Sequence, residues 1–308
     1  MNKKIKISLI GIGSVAMAAA VAVGGFFSVY PMTPDVEIKS AQDRVENNSE
    51  LLIASYNTAA PWGNLLEGTY TTRRAHLFAQ QLNDLIPDSF GVQEINSFWV
   101  EYFKELLPQY DYYGVKRGGD DKEKTSEMSG IFYLKDKYNL LDSGTFWITN
   151  TPDVESRFEG AACNRICSYA VLENKATGFK YIHMNTHLDH VSTEAQNLGG
   201  NLILNKANEL KQKYPDMKIV ITGDFNQNPD GEAVKILSAN GFVSANTIVE
   251  NGDKIATFHG WTGITEDAPI DFIFADETLK IKSYNVHSKK QTSSYVSDHY
   301  MIYSEIEI

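Results

Sequence analysis

Six apolar runs in this 308-residue chain stop in residues that handle phosphate or metal. LLIASYN ends at Asn57, FGVQE at Glu94, YIHMNTHLD at His187 and Asp189, and KIVITGDFN at Asp224 and Asn226; PIDFIF carries Asp271, and VSDHY opens the last run with Asp298 and His299. Side chains two apart on an extended strand share a face, so Asp224 and Asn226 are expected to look the same way while Phe225 turns to the core. One such ending is an ordinary strand-to-loop turn, since Gly, Asp and Asn are turn residues and Pro229-Asp230-Gly231 follows at once. Six of them imply a site built where strands converge. Carboxylate and amide oxygens suit a hard divalent cation, and an imidazole beside a carboxylate can hold or move a proton. No G-x-S-x-G elbow occurs, which argues against the common α/β form of Ser-His-Asp hydrolysis.

The elements that must position these residues follow from periodicity. LLIASYN reads as a strand, and Ala75, Phe78, Ala79, Leu82, Leu85 and Ile86 repeat at three and four, a helix capped by Thr71 or Thr72. FGVQEI is the next strand, followed by a helix from Ser97, a charged loop DDKEKTSE and the strands SGIFYL and LLDSGTFWI. CSYAVLE and YIHMNTHLD precede a long helix from Ser192 to Tyr214, whose stripe is Ala195, Leu198, Leu202, Ile203, Ala207 and Leu210. KIVITGDFN, a short helix from Gly231, then PIDFIFA, IKSYNVH and HYMIYSEIEI complete the chain. Strands and helices interleave, but several strands follow each other directly, so mixed sheets are expected.

Lys3, Lys4 and Lys6 precede an uncharged run, Ile7 to Val29, long enough to cross a bilayer as a helix. The end of the run offers no clean A-x-A cleavage site, so residues 1–30 read as a membrane anchor, with a cleaved export signal as the alternative. Basic residues before the span place everything after it outside the cytoplasm. Residues 31–49 are polar and lack periodicity, a linker between membrane and domain. The formal net charge is −11, and the exported part, without the three lysines, carries about −14. Such a body does not advertise unspecific nucleic-acid affinity, yet a bound divalent metal inverts the local field a phosphate feels. The two cysteines, Cys163 and Cys167, bridge only if their loop folds back, so a disulfide and a pair of inert thiols both stay open.

ASYN, GVQEI, NTHLDH, GDFN, IDFIF and SDHY stand in the order and spacing of the endonuclease/exonuclease/phosphatase superfamily. Over residues 50–308 the chain resembles these metal-dependent phosphoesterases, which include pancreatic-type deoxyribonuclease, abasic-site endonuclease, sphingomyelinase and inositol-polyphosphate phosphatase. SGIFYLKDKYNLLDSGTFW, NRICSYAVLENKATG and TFHGW look like a bacterial, often exported, branch. The resemblance implies an α/β fold, a four-layer sandwich of two packed mixed β-sheets flanked by helices. It implies Mg²⁺, with Mn²⁺ or Ca²⁺ as alternatives, held by Glu94 with Asn57 and Asp298. By similarity Asp224 deprotonates the attacking water, and Asn226 donates its amide to a phosphate oxygen. His299 bonds a non-bridging oxygen and is oriented by Asp271, while His187 and Glu127 complete the catalytic set. Arg165 and Asn57 would bind substrate phosphate.

The function expected is therefore an extracytoplasmic, divalent-metal-dependent phosphoesterase, first a phosphodiesterase on nucleic acid, alternatively an enzyme of lipid headgroups or small phosphate esters. A non-catalytic metal-binding module would have lost core residues, and none is missing. Lys116 and Arg117, beside two glycines in YYGVKRGGDD, suit a mobile basic lip over a nucleic-acid backbone, or equally a solvated hairpin tip. His183 is expected to pack beneath the site, and Trp62, Trp147 and Trp261 in core or rim. The membrane is the other partner, through residues 7–29; nothing calls for a protein partner.

Overall fold

A computed structural model describes residues 33–60, 71–119, 126–263, 268–290 and 295–308. The elements, in chain order, are α1 (Gln42–Glu46), β1 (Glu50–Asn57), α2 (Thr71–Leu85), β2 (Ser89–Ile95), α3 (Ser97–Leu106), β3 (Tyr110–Tyr113), β4 (Met128–Leu134), β5 (Tyr138–Trp147), β6 (Ile166–Asn174) and β7 (Lys180–His187). Then come α4 (Thr193–Lys213), β8 (Lys218–Asp224), α5 (Glu232–Ser238), β9 (Phe242–Ser244), β10 (Asp271–Asp276), β11 (Lys280–Ile281), β12 (Asn285–His287) and β13 (Met301–Glu307).

The strands form two mixed sheets, as expected. One runs β11-β13-β1-β2-β4-β3 with β12 also on β13, the other β5-β6-β7-β8-β10-β9. Within them β1 is parallel to β2, and β7 to β8. These parallel pairs require the crossover helices α2 and α4, so all four strands end at one pole of the sandwich, where Asn57, Glu94, His187 and Asp224 lie. The antiparallel β10 meets β8 with Asp271 opposite Asp224, delivering one more acid to that pole.

Polar side chains join the sheets under the site. His183 is fully buried and bonds Ser89 Oγ through Nδ1 at 2.8 Å and Thr222 Oγ1 through Nε2 at 2.9 Å. Gln93 donates to Asn185 Oδ1 at 2.7 Å, and Asn185 donates to the carbonyls of Val92 and Gly130. Every buried polar group so paired avoids the desolvation cost that an orphan would carry. The sheets approach closely at Gly91, where a Cβ would stand 2.1 Å from Thr222 Oγ1. Only glycine fits there.

Three local expectations change, and one open alternative is decided. Thr71 and Thr72 lie inside α2. The buried stripe of α4 runs through Gly199 and Gly200 where Leu198 was expected, because a Cβ on Gly200 would meet the Ala233 backbone of α5 at 2.6 Å. Of the two alternatives for the cysteines, the thiols hold: Cys163 and Cys167 are free, the latter fully buried. The described part of the 31–49 linker is docked, not loose. Pro34 O meets His76 Nδ1 at 2.9 Å, Lys39 pairs with Asp84, and Arg44 stands 3.8 Å from buried Asp88. Its polar composition reflects these bonds. No helix among the described residues is long and apolar enough to cross a membrane; residues 7–29, DDKEKT and Trp62 lie outside the described residues.

Candidate active site

Asn57 is the hub of the strand ends. Its Nδ2 lies 3.1 Å from Glu94 Oε1, 3.0 Å from Asp224 Oδ2 and 3.4 Å from His299 Nε2, while its Oδ1 accepts from Ala59 N at 2.9 Å. The amide orientation is fixed by this network, since Ala59 N–H needs an acceptor and the carboxylates need a donor. The Asn57 oxygen, expected to face a metal, is engaged by the Ala59 N–H, and the side that faces Glu94 and Asp224 presents an N–H.

Asp224 is buried and ends β8; Phe225 and Asn226 are already outside the strand. Asn226 is left-handed at φ 49°, with its N–H on Asp224 Oδ1 and its Nδ2 on the Leu188 carbonyl at 3.0 Å. The shared extended face expected for Asp224 and Asn226 is thus replaced by an Asx turn, which Asn tolerates better than most residues. Turn and site coincide. Glu94 and Ala59 are also left-handed, at φ 57° and 47°, and Glu94 sits where the β2–β4 register shifts. Strained backbone held in place by its surroundings is a frequent mark of functional sites.

His299 precedes β13, held by a bridge to Phe258. Its Nδ1 lies 2.8 Å from Asp271 Oδ2 and its Nε2 3.7 Å from Asp224 Oδ2. Burial alone would lower its pKa, but the Asp271 charge and hydrogen bond, followed by Asp224 and Asp298, drive it upward. Asp224 is likewise raised, by burial first and then by the Asp271 charge. His187 behaves oppositely. Burial and the charges of Arg165 and Arg117 hold it neutral, its Nε2 is 3.5 Å from Asp224 Oδ2, and its buried Nδ1 has no hydrogen-bond partner.

A small open cleft adjoins this cluster, lined by Glu94, Arg117, Glu127, Ser129, Arg165 and His187, among others. Glu127 is brought in by its ion pair with Arg117 at 2.8 Å. Arg165 is 5 % exposed and reaches His190 Nδ1 at 2.9 Å. The described part of the loop, expected as a mobile basic lip or equally a solvated hairpin tip, is anchored: Arg117 O accepts from Trp147 Nε1 and Asn164 Nδ2, and its N–H bonds Glu127 O. Arg117 therefore belongs to the cavity wall, a placement its glycine-flanked sequence hid.

Arg74 was likewise not foreseen. It is fully buried and donates to the carbonyls of Thr58, Ala59, Ala60 and Val296, between the rings of Trp99 and Trp261 at 5.1 and 5.0 Å. One guanidinium thus ties the loop after Asn57 to the loop before Asp298. A capacity for a divalent ion is built in, since ligand atoms of Asp224, Asp271 and His299 all lie within 4.8 Å of one another.

The family model described as "Endonuclease/Exonuclease/phosphatase family" matches residues 54–299. A mannosyl-6-phosphatase of Bacteroides thetaiotaomicron is 30% identical, with a TM-score of 0.76 over 84% of this chain and 100% of that one. The Ccr4 subunit of the CCR4-Not complex of Phaeosphaeria nodorum, a 3'-5'-exoribonuclease, is 32% identical over 137 residues, which span 39% of this chain and only 22% of that protein. Danio rerio TDP2, solved with a single-strand DNA product, shares the fold at 20% identity and TM-score 0.65, over 85% of this chain and 100% of that one. The converging acids, amides and histidines, the two mixed sheets and the match across the domain agree, and the chain belongs to the endonuclease/exonuclease/phosphatase family of phosphoester-hydrolysing enzymes.

Proposed function

We propose that the protein is an extracytoplasmic, membrane-anchored phosphoesterase of compact phosphate esters such as sugar phosphates. The observation that carries this reading is the cavity in which Arg117 and Arg165 stand beside Glu94 and His187. A small pocket with two guanidiniums suits one anionic headgroup better than a polymer backbone. The 30% identity to a mannosyl-6-phosphatase across the whole domain favours the same class. A second reading, hydrolysis of nucleic acid, has its own support. Phe258 is 47% exposed with its ring 5.0 Å from that of His299, a platform on which a base could stack, and the Ccr4 relative is an exoribonuclease.

The metal belongs at Glu94 and Asp298 in this reading. The trio Asp224, Asp271 and His299 also offers ligand atoms, but His299 Nδ1 is already committed to Asp271. Burial raises the Asp298 carboxyl, and the Glu94 charge adds to the rise against the pull of His299. Hard oxygen donors fit Mg²⁺ or Mn²⁺. Bound there, such an ion would neutralise phosphate charge. The chain's own groups do the rest. Asp224, with its raised pKa, takes a proton from water; His299, held as imidazolium by Asp271, donates to a non-bridging oxygen; Asn57 Nδ2 donates beside it. Neutral His187 presents its unpaired Nδ1 as a further bonding group.

Turnover of mannose 6-phosphate, p-nitrophenyl phosphate, bis-p-nitrophenyl phosphate, plasmid DNA and RNA, each with Mg²⁺, Mn²⁺ or Ca²⁺, tests the proposal. Monoester turnover well above diester and nucleic-acid turnover is expected. The reverse ranking would favour the second reading.

A further inference from the structure

We infer that the active-site pole of the domain faces the membrane from which the chain emerges, so that the bilayer surface is the partner of the rim around the site. This rests on the proposed anchoring by residues 7–29. The new observation is the course of residues 34–39. Pro34 meets His76, Glu37 N bonds Gln80 Oε1 at 3.3 Å and Lys39 pairs with Asp84, so the strap runs alongside α2 in the helix's own direction. That direction is known at both ends. Near its start α2 is bound to the site, because Arg74 grips the carbonyls just after Asn57. Beyond its end, Asp88 N bonds Leu52 O near the beginning of β1.

The strap therefore enters close to the site and descends to the opposite pole before β1 begins. His76 is five residues into α2, about 8 Å from the helix start. Between Val29, the last residue of the apolar run, and docked Pro34 there are five steps of chain, which span at most about 18 Å. A domain of this length is on the order of 45 Å across. A loose tether of the same composition would leave the orientation open, whereas the docked strap places the site-bearing end next to the bilayer.

Part of the exposed apolar surface agrees: of nine exposed large apolar side chains among the described residues four lie at this pole, while Leu140 and Leu141 on β5 and Val243 on β9 lie toward the other. Among the described residues Phe98 at the start of α3, Val154 in the loop from β5 to β6, Val191 after β7 and Phe258 over His299 are 43%, 61%, 65% and 47% exposed. All four lie on segments that leave the strand ends of the site pole. Single exposed apolar residues are common; four on separate segments at the site pole form a rim that a bilayer interface would cover. The acidic body gains nothing from anionic lipid, so the strap and the rim set the orientation, and substrates carried in or at the membrane reach the site most directly.

The test uses the full chain in zwitterionic phosphatidylcholine vesicles carrying headgroup-nitroxide lipid as quencher. In a Cys163→Ser background, with Cys167 buried, a fluorophore is placed by Phe98→Cys or Val154→Cys at the site pole, or by Thr177→Cys on the turn between β6 and β7 at the far pole. Labels at 98 and 154 are expected to lose much of their emission while the label at 177 keeps its own. A spacer of about 20 Gly/Ser residues after Tyr30, long enough to free the domain, is expected to erase the difference. A chain found in the membrane with the far-pole label quenched as strongly as the others, or more, overturns the inference alone. A chain absent from the membrane fraction overturns the anchoring it rests on, and the inference with it.

Discussion

His299 Nδ1 and Asp271 Oδ2 stand 2.8 Å apart, both buried, and against the pull of burial the Asp271 charge and hydrogen bond lead the groups that push the His299 pKa upward. Asp271→Asn keeps the shape but removes the charge that raises His299, so the ring reverts toward the neutral form that burial favours. Turnover is expected to fall by about 10²–10⁴-fold, the scale of a positioned acid–base group, with KM little changed. Steady-state kinetics with circular dichroism as a fold control checks it; an unchanged kcat would remove the pair from the chemistry.

Glu94→Gln retains volume and loses a negative oxygen. Metal-dependent turnover is expected to need higher Mg²⁺ or Mn²⁺, and the thermal stabilisation produced by added metal, which follows ligand occupancy of the folded state, should flatten. A melting series against metal concentration reads both. If the wild-type response persists, the ion sits with Asp224, Asp271 and His299.

Arg74→Met should destabilise the fold by roughly 3 kcal/mol or more, because the carbonyls of Thr58, Ala59, Ala60 and Val296 lose a shared donor and each orphaned group costs about 1–3 kcal/mol. Arg74→Lys restores the charge but not the planar fork, and recovery should be partial. Urea unfolding of the three proteins measures this. Full recovery by lysine would show that charge alone matters.

Burial lowers the His183 pKa to about 3 from an ordinary 6.5. The folded protein keeps this ring neutral, so the unfolded chain binds the extra proton, and stability is full above pH 6.5 and lost as pH falls toward 3. Between pH 7 and pH 5 this single group removes about 2 kcal/mol. His183→Gln, which can still bond Ser89 or Thr222, should show a shallower decline between those pH values than wild type. Parallel slopes would contradict the assignment.

Much of the site was legible because strands end where their chemistry is needed. Asn57, Glu94, His187, Asp224, Asp271 and His299 each stand out against an apolar run, and the parallel pairs gather them. Four things were not legible. The amide of Asn57 turns by its bond to Ala59 N–H, which no residue type announces. Asn226 leaves the strand through a left-handed turn that only the backbone reveals. Arg74 and Arg117 look in sequence like solvated charges; Arg74 is buried by distant groups such as Val296, and Arg117 is walled in by Glu127 across its own hairpin. Likewise the strap at 34–39 reads as a tether because its bonds to α2 are polar and non-periodic.

The central claim is that Asp224 activates the attacking water. Single-turnover cleavage by Asp224→Asn, measured with metal and substrate saturating and with binding of both determined separately, tests it most directly. An amide fills the same volume but cannot take a proton. Near-complete loss of the chemical step with metal and substrate binding retained is the expected result. Cleavage within about tenfold of wild type, a barrier change of only about 1.4 kcal/mol, would show that the base lies elsewhere.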